Sequence, residues 1–410
     1  MQSLIFFRYL SRHKDNYILV ESFQHSQMAE FNDPFILLRT ILFTNMNSYK
    51  ILKQCNVLLN IIYLLIHCLL IYYMFNNLNL NLLIRYGPGM LFFIVVTAAA
   101  VLFLHLEKKI LEIVTFCDKI CWSLSLIRKS AQTKLKRKCQ IVNICVSFVL
   151  LLLVSTVTIN APYFGNQREL FICIQVFEEY FGEWSFVPYY FYFVGFPFLF
   201  YNFMRLWISF VYAILEAQLQ FFLIEEVLYE TYQIRYLKGW KYLQDTRYQQ
   251  DIGKSLRLCI AHHNALKKLL KMVVNVTMTT MPFFLVFGVL LLISSFAFII
   301  NFADTMTNIL KIRMFMFALS IMCVAVVLCW IGQQVIDVTS KIFFALVGAP
   351  WYFWNAANIK ILLMFITNCT QNDSIVLAGI CLDYNLFVTM VRISVSYALV
   401  LFNLRKNSVA

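Results

Sequence analysis

The chain has 410 residues, 61% of them hydrophobic and only 13% charged, with a mean hydropathy of +0.72. A soluble globular chain is about half apolar and about a quarter charged, so a water-soluble domain is excluded; 40 Phe against 11 Gly and 7 Pro exclude collagen-like, disordered and low-complexity classes as well. The 34 Lys and Arg against 21 Asp and Glu give +13, but the charges lie between apolar runs, so the excess is read as membrane topology and not as a nucleic-acid surface.

The first twenty residues (MQSLIFFRYLSRHKDNYILV) hold no apolar stretch followed by small residues, and no cleaved signal peptide is expected. A helix needs about 20 mostly apolar residues to cross the hydrocarbon core. Seven stretches qualify: 57–75, 90–106, 141–159, 198–222, 281–300, 312–331 and 384–404. The fourth is less pure because it contains Arg205 and Glu216, and the last carries one charge, Arg392. Residues 337–367 are apolar but interrupted by Pro350, by Trp351, Tyr352 and Trp354, and by two Lys, which predicts a helix at the membrane face and not an eighth span. The expected fold class is an all-α membrane protein of seven transmembrane helices. Its expected divisions are an N-terminal segment 1–50, a six-helix bundle 51–334 with extensions of helices 4 to 6, an anchor helix 335–367, and a final helix 384–404.

Orientation follows from the loops. Residues 107–140 carry nine Lys or Arg against three acids, and residues 224–276 nine against five. Residues 160–189 carry Arg168 against Glu169, Glu178, Glu179 and Glu183, and residues 76–89 hold only Arg85. The basic loops are therefore expected in the cytoplasm, with the N-terminus inside and the C-terminus outside, opposite to a G-protein-coupled receptor. The N-x-S/T sequons at Asn275, Asn368 and Asn372 then fall on the cytoplasmic side, where glycosylation does not occur.

Twelve cysteines are scattered without a C-x-x-C. Cys117 and Cys121, four apart, have no neighbouring His and are read as reduced thiols over a metal pair. Nucleotide-binding, serine-hydrolase and zinc-protease motifs are missing, and His262 and His263 lie in a Lys-rich segment where adjacent side chains on a helix diverge. Neither an enzyme, nor a metal, nor a cofactor is expected.

On the last helix Thr389, Arg392, Ser396, Val400 and Asn403 are spaced 3, 4, 4 and 3 apart and share one face. A polar stripe in lipid must meet protein or water, because each unsatisfied group costs several kcal/mol there. Packing against a neighbouring helix is one reading, and a pore-lining face is the other. Arg392 is open between a role in the stripe and snorkelling to the cytoplasmic interface. For a ligand, the outer halves of the spans supply Met90 and Phe93, Ser155 and Thr158, Phe200, Met204 and Ile208, and Ser295 and Phe298: apolar groups with a few hydroxyls, as in small-molecule pockets. For each of these residues plain helix packing is the competing reading.

From Cys329 onward the sequence reads CWIGQQVIDVTSKIFFALVGAPWYFW, then IKILLMF, LAG and SVSYALVLFNL. This resembles the insect odorant receptor family. The end of the sixth span carries Cys329, Trp330 and Gly332, followed by Ser340, Ala345 and Trp351, and the final helix pairs Ser396 and Tyr397 ahead of Asn403. CIAHHNALKKLL at 259–270 is similar to the family's lead-in to the fifth span, and residues 1–250 match in architecture only. Gustatory receptors end in Thr-Tyr and Gln-Phe where this chain has Ser396, Tyr397, Asn403 and Leu404, which favours the odorant branch. The loop before the fifth span is too short for the family's co-receptor. The resemblance implies the odorant-binding subunit of a ligand-gated, non-selective cation channel: a tetramer with co-receptor subunits, joined through the cytoplasmic anchor and opened by a small hydrophobic volatile. It implies a pore lined by the last helix, with Val400 and Leu404 as gate rings beside Asn403. A gustatory-like homomeric channel or a seven-helix G-protein-coupled receptor are the alternatives.

Overall fold

The computed structural model describes residues 33–43, 50–77, 79–160, 171–232, 241–302, 304–370, 376–377 and 380–409. Arg168, Glu169 and the sequon at Asn372 lie outside the described residues, as does most of the segment 1–50. The α-helices of eight residues or more are α1 (Ile36–Phe43), α2 (Lys50–Asn76), α3 (Leu80–Ile120), α4 (Lys129–Asn160), α5 (Ile172–Phe181), α6 (Phe186–Tyr232), α7 (Thr246–Phe302), α8 (Asn308–Val347), α9 (Ala356–Cys369) and α10 (Tyr384–Val409). A two-residue antiparallel pair, Val376–Leu377 with Ile380–Cys381, precedes α10. The fold is all-α: α2, α3, α4, α6, α7, α8 and α10 are long and apolar enough to cross a membrane, and each contains one expected span.

The helices outrun those spans. At 1.5 Å per residue the 57 residues of α7 and the 47 of α6 reach about 85 Å and about 70 Å, against about 30 Å of hydrocarbon. Much of what counts as basic loop is helix, because the apolar spacing continues into it: Ile110, Ile113, Val114 and Cys117 stay buried on α3, and Leu256, Cys259, Leu266 and Leu270 on α7. This end of the bundle, where residues 107–140, 224–232 and 241–276 gather, is termed the basic end.

Helix α6 is central. It is apolar all round, the pattern of a core helix, and 94% of its most apolar window is buried, against 17% for α10. The two charges within its membrane-spanning stretch 198–222 are both covered. Arg205 donates from Nε and Nη2 to the Leu42 carbonyl of α1 at 3.2 and 3.1 Å and lies over the Phe103 ring at 4.5 Å. Glu216 sits with Oε2 3.8 Å from Cys121 Sγ. Tyr212 donates to Asp33 Oδ2 at 3.0 Å, and Leu38 and Leu42 are buried, so residues 33–43 are part of the bundle. Polar pairs join other helices: Thr156 and Ser320 hydroxyls 2.6 Å apart between α4 and α8, and Gln218 donating to Gln334 at 3.1 Å between α6 and α8. In lipid such contacts supply what the hydrophobic effect does not.

The expected single helix over 335–367 is corrected. Gly348 ends α8, Pro350 opens a turn, and Asn355 caps α9 by accepting from the Asn358 backbone N–H at 2.9 Å. Gln249 ties this turn to the base of α7, donating to the Phe353 carbonyl at 2.8 Å and accepting from the Asn355 N–H at 2.8 Å, while Asn358 Nδ2 donates to the Gln249 carbonyl at 2.8 Å. The aromatic trio divides: Trp354 is buried against Tyr232, whereas Trp351 and Tyr352 are exposed.

Candidate functional site: an internal cavity and the outward face of the last helix

A cavity of about 170 Å³ runs between α3, α4, α6, α7 and α8. Phe92 and Val95 mark one end on α3 and Ile113 and Val114 the other. Phe203, Leu206, Trp207, Ser209, Phe210 and Ala213 face it from α6, and Thr277, Thr280, Phe284, Gly288 and Leu292 from α7. Its hydroxyls are engaged with their own helices: Ser209 donates to the Leu206 carbonyl at 2.7 Å, Thr277 to Val274 at 2.9 Å and Thr280 to Thr277 at 3.4 Å. The site is a hydrocarbon-walled chamber whose few oxygens keep a lone pair to offer, the character of a pocket for a small apolar molecule. Leu382 and Met390 also line it, so the cavity touches the start of α10.

None of the expected ligand residues lines this cavity. Phe93 packs edge-on against Phe196 at 4.7 Å and beside Tyr192 at 4.9 Å. Phe200, Met204 and Ile208 are buried on α6 but do not line the cavity, and Met204 and Ile208 turn away from the lining face. Ser155 and Thr158 donate to Leu151 and Val154 of their own helix, Ser295 to Leu291, and Phe298 lies 5.3 Å from Phe302. Met90 lines a second chamber, between α2, α3, α7 and α10. Sequence reasoning missed the lining set because Phe92 and Phe93, or Phe203 and Met204, differ by about 100° around one helix, and only packing decides which one faces a void.

Helix α10 turns two faces in opposite directions. Met390, Ser394 and Ala398 are buried against the bundle, and Arg405 donates from Nη1 to the Asn301 carbonyl at 2.7 Å and stands over Phe302 at 4.4 Å. Thr389, Arg392, Ser396, Val400 and Asn403 are exposed, and at 100° per residue they lie roughly opposite the buried row. Leu404 is exposed next to them. The polar stripe is not helix-packing glue within this chain; it faces away from it.

Gly332, within the segment that carries the resemblance, is where the chain entering α10 crosses α8. A Cβ there would collide with the Leu382 carbonyl oxygen and lie 2.9 Å from its Cβ. Gly332→Ala therefore forces Leu382 and the root of α10 outward, an overpacking cost of about 1–3 kcal/mol. We expect a lower yield of monodisperse protein on size-exclusion chromatography, with Gly348→Ala, whose added Cβ would lie 3.3 Å from the Phe344 carbonyl, less affected.

Of the basic-end residues, His262 stacks on Trp122 at 3.8 Å with Nε2 3.1 Å from Gln220 Oε1, while His263 Nε2 lies 3.6 Å from Cys369 Sγ. The two rings do face apart, and among the described residues no group of three metal-ligating side chains forms. Cys117 is buried and Cys121 half-buried, both as free thiols.

Seven membrane-length helices with α6 buried among the others, an apolar cavity between them and a last helix with an outward polar face define a multi-pass membrane protein. The fold is that of insect olfactory receptors. The chain superposes on the insect olfactory receptor OR5 from Machilis hrabei in complex with eugenol with a TM-score of 0.63 at 12% identity, covering 95% of this chain and 100% of that one. A second OR5 structure from the same organism gives 0.62 at 11% identity, with 97% and 99% covered. Sequence comparison finds no matching family model and no matching curated protein.

Proposed function

We propose that this chain is the odorant-binding subunit of a ligand-gated, non-selective cation channel of the plasma membrane, assembled with co-receptor subunits as a tetramer. The observation that carries this reading is the stripe Thr389, Arg392, Ser396, Val400 and Asn403, exposed and directed away from the chain's own bundle. Polar groups at membrane depth need protein or water, and copies of α10 around a central axis supply a water-filled path for all of them at once. The basic end is then cytoplasmic and α10 ends outside. The extensions of α6, α7 and α8 with α9 form the anchor through which subunits meet, since water gives those faces a hydrophobic reason to associate and lipid does not.

The ligand of this reading is a small hydrophobic volatile in the cavity between α3, α6, α7 and α8, in keeping with the likeness to a receptor seen in complex with eugenol. A ligand shifts an equilibrium only by contacts that differ between the two states. Met390 and Leu382 provide such contacts, because they belong at once to the cavity wall and to the root of the pore helix. Val400 and Leu404 close the path as apolar rings by dewetting.

The test is current recorded from cells expressing the chain alone and with a co-receptor while a volatile panel is applied, with an epitope tag at residue 410. We expect tag staining on unpermeabilised cells and ligand-evoked cation current only on co-expression. A tag detectable only after permeabilisation overturns the orientation and the channel reading together. Robust current from the chain alone replaces the co-receptor assembly by a homomeric, gustatory-like channel.

A further inference from the structure

The second chamber, open on one side, has a volume of about 370 Å³ at the end of the bundle away from the basic loops. A cavity of about 150 Å³ lined by aliphatic and aromatic side chains stays dry and takes up benzene, so this one has room for a length of hydrocarbon. Ser294 supplies the sole polar side chain of its lining, which leaves a water without the two to four partners it needs. Met74 and Ile84 are buried at its back, whereas Ile71, Phe75, Leu83 and Leu290 are exposed at its rim. These rim residues belong to α2, α3 and α7, all of membrane-crossing length, so the mouth opens sideways into the bilayer and not toward water. The concentrated apolar species at that depth is the lipid tail. Just beyond the rim residue Phe75 the chain carries Asn76, Asn77, Asn79 and Asn81, which sets neutral amide groups at the level where a lipid's polar portion begins.

We propose that this chamber binds one acyl chain of a bilayer phospholipid, with the head group at the Asn-rich connection between α2 and α3. The occupant lies against Leu401, on the side of α10 that carries Ala398 and Ser394 into the bundle, and behind the face that carries Val400 and Asn403. Filling or emptying the chamber therefore changes how the last helix seats. That effect on current rests on the channel reading given above; the binding of the tail does not.

The experiment is photolabelling of the full chain in phosphatidylcholine nanodiscs containing a phosphatidylcholine with a tail diazirine, mapped by peptide mass spectrometry. We expect label on Met74, Leu83, Met90 and Ile293 above that on Phe148 and Leu151, which are exposed on α4 and report general lipid contact. Ala297→Trp, filling the chamber from a buried position, loses most of the chamber label and keeps the α4 label. Leu83→Trp, at the exposed rim, serves the same purpose if the buried substitution does not fold. Equal labelling of chamber and α4 residues overturns the proposal, as does chamber label that persists in Leu83→Trp. Labelling of the chamber by a head-group-free alkyl diazirine but not by the phospholipid overturns the lipid assignment and makes the occupant a free hydrophobe. A chain that gives no current under any condition, yet shows the chamber label, separates failure of the channel reading from failure of this one.

Discussion

Val400→Ser or Leu404→Ser, made in the assembled channel, is expected to raise the basal current in the absence of any volatile. Both side chains are exposed on the part of α10 that points away from the bundle, so neither substitution opens a cavity in the chain's own core. What changes is the constriction: a ring of apolar groups excludes water, and a hydroxyl in that ring lowers the cost of wetting it. A bias of about 1.4 kcal/mol toward the wetted state raises the ratio of open to closed channels about tenfold. Other subunits contribute rings of their own, so one altered subunit gives part of that rise. Leu399→Ala, on a neighbouring face, leaves basal current close to wild type. Asn403→Asp adds a negative charge beside the same rings and is expected to change cation permeability ratios more than ligand sensitivity. Wild-type basal current and permeability in Val400→Ser, Leu404→Ser and Asn403→Asp, measured by whole-cell recording with surface expression verified, would remove α10 from the conduction path.

The existence of the seven long helices was legible in the sequence because hydrocarbon solvation leaves a coarse mark: about 20 apolar residues in a row, whatever they pack against. The two faces of α10 were legible for a related reason, since Thr389, Ser396 and Asn403 break an otherwise apolar run at helical spacing. Contacts between residues far apart in the chain left no such mark. Gly332 stands out as part of a motif, but nothing near it says that its missing side chain makes room for Leu382. The Gln249 and Asn358 bonds that fold the anchor back on α7 join positions 109 apart and involve two amides indistinguishable, by sequence, from solvated ones. Arg205 and Glu216 read as impurities in a span; their cover comes from Leu42 and Cys121, distant in the chain. The cavity was the least legible feature. It is the space left where Phe92, Phe203 and Phe284 fail to meet, a property of three faces at once and of no single stretch.

Gly288→Leu is expected to abolish or weaken the response to volatiles. Gly288 lines the cavity, and a Cβ added to it would meet Met390 Cε at an ordinary contact distance of 3.9 Å, so the backbone accepts a side chain there and the added carbons occupy space that a ligand would use. Displacing a ligand from a space this small, or forcing it and its neighbours to share, costs about 1–3 kcal/mol, which corresponds to a dose–response curve shifted by about 5- to 150-fold. Thr280→Val tests the polar part of the wall: the hydroxyl already donates to the Thr277 carbonyl, so removing it subtracts an acceptor facing the cavity and little volume. Its effect is therefore confined to volatiles that carry a hydrogen-bond donor, whereas Gly288→Leu acts on all of them. Thr158→Val, on the exposed side of α4, and Met204→Ala, on a non-lining face of α6, are the comparison set. If dose–response shifts follow Met204 and Thr158 and pass over Gly288 and Thr280, the ligand sits in the outer half of the bundle, and the void touching Met390 plays no part in opening the pore.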